Sequence, residues 1–288
     1  MARSRPDGPP PMQLPPLPRD THALVVSALG GDTIPRGGNA GLVWDRYAAV
    51  WTADSPPTPA KSEHRTDYLR RFIQDFKRQG EHRGAELRAR VERLSSIDTT
   101  THRDYRTMGR LVTGLGSEHP VENGFSFDHT LGVPVLAGSS VKGLCRAGAG
   151  LLSADTSLVQ RLLGVEHPAR SEKPNAPLFA GEVVFLDELP TDWPALDLDL
   201  LNTHHPAYYA DQGQLQRTRL AVVTEEPKPV SFLTVAHGVR FRFWLRGRGG
   251  VQLSVEDTAL VWRWMDLGLE ALGVGGKTAA GYGHMMAV

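Results

Sequence analysis

The spacing of apolar positions changes along this chain from helical to alternating and back, and the changes outline its elements. Between Ser62 and Leu94, Tyr68, Leu69, Phe72, Ile73 and Phe76 recur at helical spacing, and Leu87, Val91 and Leu94 resume it beyond Gly80 and Gly84. This predicts two helices with arginine-rich outer faces, for which a solvated face is the plain explanation. Upstream, residues 22–29 read as a short strand and 40–51 as a helix stopped by Ser55-Pro56-Pro57. Residues 107–115 open a β-rich part, followed by a turn-prone stretch to Pro134, a helix from Ser139 or Ser140 to about Leu152, and a second helix over 156–163. Strands are expected at 181–186, 230–236 and 239–245, the last two joined by a His237-Gly238 turn. A helix over 256–272 would bury Leu260, Trp264, Leu267 and Ala271, with Glu256 and Asp257 at its positive end, before a glycine-rich stretch and a strand at 282–287.

That order predicts an α+β, ferredoxin-like (RRM-like) sandwich with additional N-terminal helices. Residues 21–288 would form one domain, with a helical insertion at about 40–98 and the core at about 100–288. Residues 1–20 read as a proline-rich, disordered tail: Met1 to Pro18 carries seven prolines and no apolar segment of a secretory signal.

Composition narrows the function classes. The chain has 288 residues, 40% hydrophobic and 22% charged, ordinary for a globular protein, and no apolar run approaches the ~20 residues of a membrane span. Cys145 is the single cysteine, so the chain forms no internal disulfide and no Cys-based zinc site. A soluble, cytoplasmic protein without membrane association is expected. Net charge is zero, unlike proteins that coat nucleic acid indiscriminately. The average conceals a split: residues 61–110 carry thirteen Lys/Arg against eight Asp/Glu, and residues 155–199 nine acidic against three basic. Faces of opposite sign suit a subunit that meets both RNA and protein neighbours.

Two segments carry candidate chemistry. Ser139-Ser140-Val141-Lys142-Gly143 stands at a loop-to-helix junction, where unpaired amides and the helix dipole attract anions; Lys142 adds a charge and Arg146 lies one turn on. The alternative is a serine N-cap with Lys142 in solvent. The run Gly273-Val274-Gly275-Gly276-Lys277-Thr278-Ala279-Ala280-Gly281-Tyr282-Gly283 holds five glycines in eleven residues, which a backbone closely approaching a phosphate chain would require, and so would a purely structural turn. Gly276-Lys277-Thr278 imitates the end of a nucleotide-binding P-loop, but Ala271 stands where that motif needs glycine and no helix follows, so no nucleotide or other cofactor is expected. On 239–246, Val239, Phe241, Phe243 and Leu245 alternate with Arg240, Arg242, Trp244 and Arg246. The second set reads as a surface for RNA or for a neighbouring subunit. His204-His205 before Pro206 reads as a turn, because no third metal ligand has suitable spacing.

The segments Arg110-Leu111-Val112-Thr113-Gly114-Leu115-Gly116, Glu122-Asn123-Gly124-Phe125-Ser126-Phe127 and Gly132-Val133-Pro134-Val135-Leu136-Ala137-Gly138-Ser139-Ser140-Val141-Lys142-Gly143, together with the C-terminal glycine loop, resemble the RAMP superfamily of CRISPR proteins. Within it the likeness is to the sixth-subunit family of Cmr (type III-B) effector complexes. The resemblance implies a subunit that holds guide CRISPR RNA and caps the backbone filament near the guide 3′ end. Target RNA and the other Cmr subunits, backbone and small helical, would be its partners. RNA-binding residues are then expected at Ser139, Ser140, Lys142, Gly143, Arg146, Gly273, Gly275, Gly276, Lys277, Thr278, Gly281 and Tyr282. Ala137 replaces a proline common before Gly-Ser-Ser, implying a looser turn.

Catalysis is not expected of this chain. Glu122 lies where backbone subunits that cut target RNA carry an aspartate, but a lone glutamate makes a poor metal site, and pairing with a local arginine or a neighbouring subunit is the better reading. His119 and His129 are the candidates for a metal-free general base, under the alternative of a stand-alone endoribonuclease that processes repeat RNA.

Overall fold

Helices cover both faces of the principal sheet, which decides which basic side chains reach the surface. The computed structural model describes residues 13–52, 54, 56–165, 180–203 and 228–288. Among these, the helices are α1 (Arg19–Leu29), α2 (Ala40–Tyr47), α3 (Ser62–Ser95), α4 (Gly138–Leu151), α5 (Thr156–Leu163) and α6 (Val255–Ala271). The strands are β1 (Thr100–Thr107), β2 (Val183–Phe185), β3 (Leu189–Pro190), β4 (Leu196–Thr203), β5 (Lys228–Val235), β6 (Arg240–Gly247) and β7 (Met285–Ala287). The principal sheet is ordered β2-β6-β1-β7, with β3 also on β6; β4 and β5 form a separate pair, and all these pairings are antiparallel.

One face of the principal sheet packs on α4 and α6. Tyr105 sits opposite Phe241 and contacts Phe243 edge-on at 4.9 Å, and the Tyr105 hydroxyl donates to Asp266 Oδ1 of α6 at 2.6 Å. Gly148 of α4 lies so close to the Trp264 carbonyl that a methyl group there would collide, and one at Gly268 would press on Leu144 at 3.0 Å. This approach turns Val261, Trp262, Trp264, Met265 and Leu269 inward. It corrects the expected stripe: Ala271 is exposed, and Leu260 and Leu267 are half-buried.

The other face carries Arg242, Trp244 and Arg246, and it is covered rather than open. Trp244 is fully buried with Leu87 and Val91 of α3, and its indole N–H donates to Ser95 Oγ at 3.1 Å. Arg242 grips Asp104, its cross-strand partner, through Nε (2.7 Å) and Nη2 (3.0 Å), and Arg246 donates to Thr99 Oγ1 at 3.1 Å. Arg240, at the start of the strand, stays exposed, and for Arg242, Trp244 and Arg246 the expectation of an RNA or subunit surface is corrected. The sequence pattern shows two different faces of a strand but not the helix that arrives over the second. Truncating Trp244 to alanine would cost about 3–5 kcal/mol.

The helix that arrives is longer than the spacing predicted. α3 continues through Gly80 and Gly84 as one element of 34 residues, about 50 Å at the α-helical rise. Gly80 is where Trp193 lies against the helix: a Cβ there would sit 2.8 Å from the ring, and the indole N–H donates to the Phe76 carbonyl at 2.8 Å. The glycine serves close packing, not a break. The first half of α3 meets β4 and β5, where Thr66 and Ser231 hydroxyls are 2.8 Å apart, so this helix joins the two sheets.

Other elements depart from expectation. Residues 22–29 belong to helix α1, which Gly30 ends in a left-handed turn (φ 56°). The 40–51 helix stops at Tyr47; Asn39 Oδ1 caps its start by accepting the Leu42 amide (2.9 Å), and Trp51 then bridges Gln13 and Pro59. Residues 1–12 of the expected tail lie outside the described residues, and Leu14 is buried. The β-rich part begins earlier than 107–115, at Thr100: β1 buries few apolar side chains and is held by the Arg242–Asp104 pair and its neighbouring strands. The His237-Gly238 turn exists (Gly238 φ 85°), but β5 and β6 leave it for different sheets.

Candidate nucleic-acid interface

Helix α4 begins at Gly138, with Ala137 as its N-cap, so neither Ser139 nor Ser140 caps it. Gly138 passes so close to the Phe185 and Leu186 carbonyls that any side chain would collide, and its amide donates to Asp187 Oδ1 at 2.8 Å. A carboxylate from 49 residues away thus already answers the first amide of the helix dipole. Ser139, Ser140 and Gly143 are exposed in the first turns, and Lys142 is half-buried. Burial, then the neighbouring Arg146 and Arg248, lower the Lys142 ammonium below its usual pKa, so three cations gather here. Arg146 is also anchored: its Nη2 donates to the Leu163 (3.1 Å) and Gly164 (2.7 Å) carbonyls at the C-terminal end of α5.

The C-terminal glycines divide into two groups. Gly273, Gly275, Gly281 and Gly283 have φ between 75° and 91°, a region that favours glycine. Side chains at Gly275 and Gly283 would collide with the Val112 and Val274 carbonyls, so these two are required by packing within the protein. The Gly276 amide is also engaged, donating to the Val112 carbonyl at 2.8 Å, and the Gly283 amide donates to that of Arg110 at 2.9 Å. Gly281 has open space beside it and is exposed, and Thr278 is half-buried at the start of a short 3-10 turn. Lys277, itself left-handed (φ 58°), places its ammonium 5.5 Å from the Phe232 ring centre and 5.8 Å from that of Tyr282. The Tyr282 hydroxyl donates to Asp199 Oδ2 at 2.6 Å.

Residues 110–115 connect the two segments. On one side they hold the glycine loop through Arg110 and Val112; on the other the Thr113 carbonyl accepts the Ser126 amide (3.1 Å) and its hydroxyl donates to the Val135 carbonyl (3.0 Å), two residues before Ala137. The fold therefore brings the Ser139–Gly143 junction and the glycine loop to opposite flanks of one short segment. Arg110, Asp187, Asp197, Asp199, Phe232 and Arg248 complete these surroundings. The sequence does not reveal them because their partners lie 45 to 106 residues away, although Arg110 already stood in the segment that carries the resemblance.

Of the catalytic candidates, the two histidines share a cleft, and Glu122 is held in an ion pair. His119 and His129 line one open cleft of about 340 Å³, with Asp45, Ala137 and Asp187 among the other lining residues. The His119 ring stacks on Trp44 (4.3 Å between centres, 6° between planes). Its Nδ1 accepts the Val121 amide (3.3 Å), so its Nε2 donates to the Trp44 carbonyl (2.9 Å); both nitrogens are engaged by backbone. Burial lowers its pKa, partly offset by that carbonyl and by Asp45. Glu122 pairs with Arg65 of α3 at 2.5 Å, as its local-arginine reading expected. Among the described residues, no group of three or more His, Cys, Asp or Glu is placed to hold a metal ion; His204 and His205 lie outside them. No described helix is long and apolar enough to cross a membrane.

A model of the RAMP superfamily matches residues 104–285, from the second half of β1 to β7. The chain belongs to the RAMP superfamily. Its RAMP span contains the α4 junction, the connecting segment and the glycine loop, whereas α1, α2 and α3 precede it. The chain is similar to the CRISPR system Cmr subunit Cmr6 of Pyrococcus furiosus (27% identity over 246 residues, 68% of this chain and 70% of that one). A chain in the structure of the type III-B Cmr-beta complex bound to cognate target RNA shares its fold, with a TM-score of 0.52 at 19% identity over 77% of this chain and 74% of that one. The crystal structure of Cmr6 from Pyrococcus furiosus is 26% identical and aligns with 66% of this chain and 97% of its own, with a TM-score of 0.37.

Proposed function

We propose that this RAMP protein is a Cmr6-like subunit of a type III-B CRISPR effector complex. It binds guide RNA without cutting it and caps the backbone filament near the guide 3′ end. Target RNA and the backbone and small helical subunits are its neighbours, in the cytoplasm. The observation that carries this reading is the single short segment, residues 110–115, that ties the α4 junction to the glycine loop, so that one RNA strand can run from Lys142 to Lys277. The similarity to Cmr6 supports the assignment to this complex. The succession β1-α4-β2-β6-α6-β7, with the strand order β7-β1-β6-β2, supports reading the core as one ferredoxin-like domain at about 100–288 carrying a helical addition at about 40–98.

Phosphate contacts are indifferent to base sequence and weaken with salt. Guide-RNA retention by the assembled complex is expected to fall steeply with salt. Lys142→Ala and Lys277→Ala should each lower the log–log slope by about 0.7 for every phosphate they leave without a cation. A flat salt response, or cleavage of repeat RNA by the isolated chain, would overturn the proposal.

A further inference from the structure

Arg110 sits directly on the glycine loop, and carboxylates occupy its guanidinium. Its carbonyl accepts the Gly283 amide at 2.9 Å, which ties Arg110 to the last residue of the loop. Its Nε and Nη2 both donate to Asp197 Oδ2 (3.0 and 2.8 Å), and its Nη1 donates to Asp199 Oδ2 (3.2 Å). Two oxygens from neighbouring positions of β4 thereby take the fork of donors that phosphate oxygens would take.

We infer that Arg110 is a further phosphate-binding residue of the glycine loop, and that Asp197 and Asp199 compete with RNA for it. This rests on the reading of the loop as an RNA grip. The two acids have different duties. Asp199 also accepts the Tyr282 hydroxyl and so holds the loop to β4. The Asp197 carboxylate accepts hydrogen bonds from Arg110 and from the Leu198 amide, and among the described residues none from the loop 273–283. The Arg110–Asp197 pair is open to solvent, at 42% and 46% side-chain exposure, and pairs this exposed hold weakly enough for another anion to displace them. With both acids charged, Arg110 and Lys277 are balanced one for one, which lowers the attraction of the loop for a polyanion. Asp197 therefore sets how readily this end of the surface accepts RNA, while Asp199 keeps the loop in place.

The test uses the full chain and a labelled, unstructured single-stranded RNA, with affinity measured across a salt series. Asp197→Asn, nearly isosteric, is expected to tighten binding severalfold and to steepen the log–log salt slope by about 0.7, the value for one more phosphate neutralised. Arg110→Ala should weaken binding. In the double variant, Asp197→Asn should give no gain, whereas Arg110→Lys combined with Asp197→Asn should keep part of it. An unchanged or weakened affinity for Asp197→Asn overturns the inference, and so does a gain that persists without Arg110, which would mark a general effect of net charge. If Lys142→Ala and Lys277→Ala also bind as the unaltered chain does, the RNA grip itself fails; if they bind more weakly while Asp197→Asn gains nothing, only the role of Arg110 fails. Matching thermal unfolding of Asp197→Asn and the unaltered chain excludes a structural origin of the change.

Discussion

The indole of Trp193 lies against the backbone of α3 at Gly80, with its Cδ1 2.8 Å from where a Cβ would stand. This relationship explains why a helix with a glycine at its midpoint is not two helices. Gly80→Ala gains about 1 kcal/mol of helix propensity but must displace a packed ring at about 1–3 kcal/mol, and a net loss of up to about 2 kcal/mol is expected. At Gly84 the nearest atoms, in the Arg88 and Trp193 side chains, are 3.4 Å and 4.0 Å away, and Gly84→Ala should stabilise by about 0.5–1 kcal/mol. Denaturant unfolding of the two variants should show opposite signs.

Glu188 is a fully buried carboxyl in the gap between β2 and β3, where its Oε2 accepts the Trp244 amide at 2.9 Å and its Oε1 has no hydrogen-bond partner among the described residues. Burial drives its pKa well above the ordinary value, against the pull of that amide, so the folded protein favours the neutral acid. The stability this contributes is complete below the unfolded pKa of about 4.5 and is lost as pH rises through the folded value. Glu188→Gln should flatten that decline. Glu188→Ala, which orphans the Trp244 amide, should cost about 1–3 kcal/mol at acid pH, where the carboxyl of the unaltered chain is neutral, and less as pH rises, read as the unfolding midpoint against pH.

His119 has the opposite dependence. Its folded pKa is lowered by burial, so its contribution is present above the ordinary value of 6.5 and is lost as pH falls below it toward the folded value. His119→Gln should remove this acid sensitivity at a cost of about 1 kcal/mol from the lost stack on Trp44. A thermal-midpoint profile that stays as steep in the variant would locate the sensitivity elsewhere.

Glu122 combines an ion pair to Arg65 with a backbone φ of 85°, unusual for a side chain of its size. Glu122→Ala loses the pair and keeps the strain; Glu122→Gly loses the pair and relieves it. The glycine variant should therefore be the more stable of the two by about 1–2 kcal/mol. Neither change should alter target-RNA cleavage by the assembled complex if Glu122 is only an Arg65 partner.

Local chemistry is what the sequence alone determined. Helices α4, α5 and α6 were legible within one or two residues because their apolar spacing lies inside the element, and α5 and α6 also carry local caps, Asp155 accepting the Ser157 and Leu158 amides and Ser254 that of Asp257. The two glycine-bearing segments were legible for the same reason, together with their likeness to the RAMP superfamily. Tertiary structure decided what those segments touch. It laid α3 over Arg242 and Trp244, and it made β1 a central strand with little apolar alternation of its own. It assigned several glycines to internal packing, and it brought Asp187 to the α4 amide and Asp197 to Arg110. The physical reason is range: hydrogen bonds within a turn are written in neighbouring residues, whereas burial and charge pairing depend on atoms that only folding brings together.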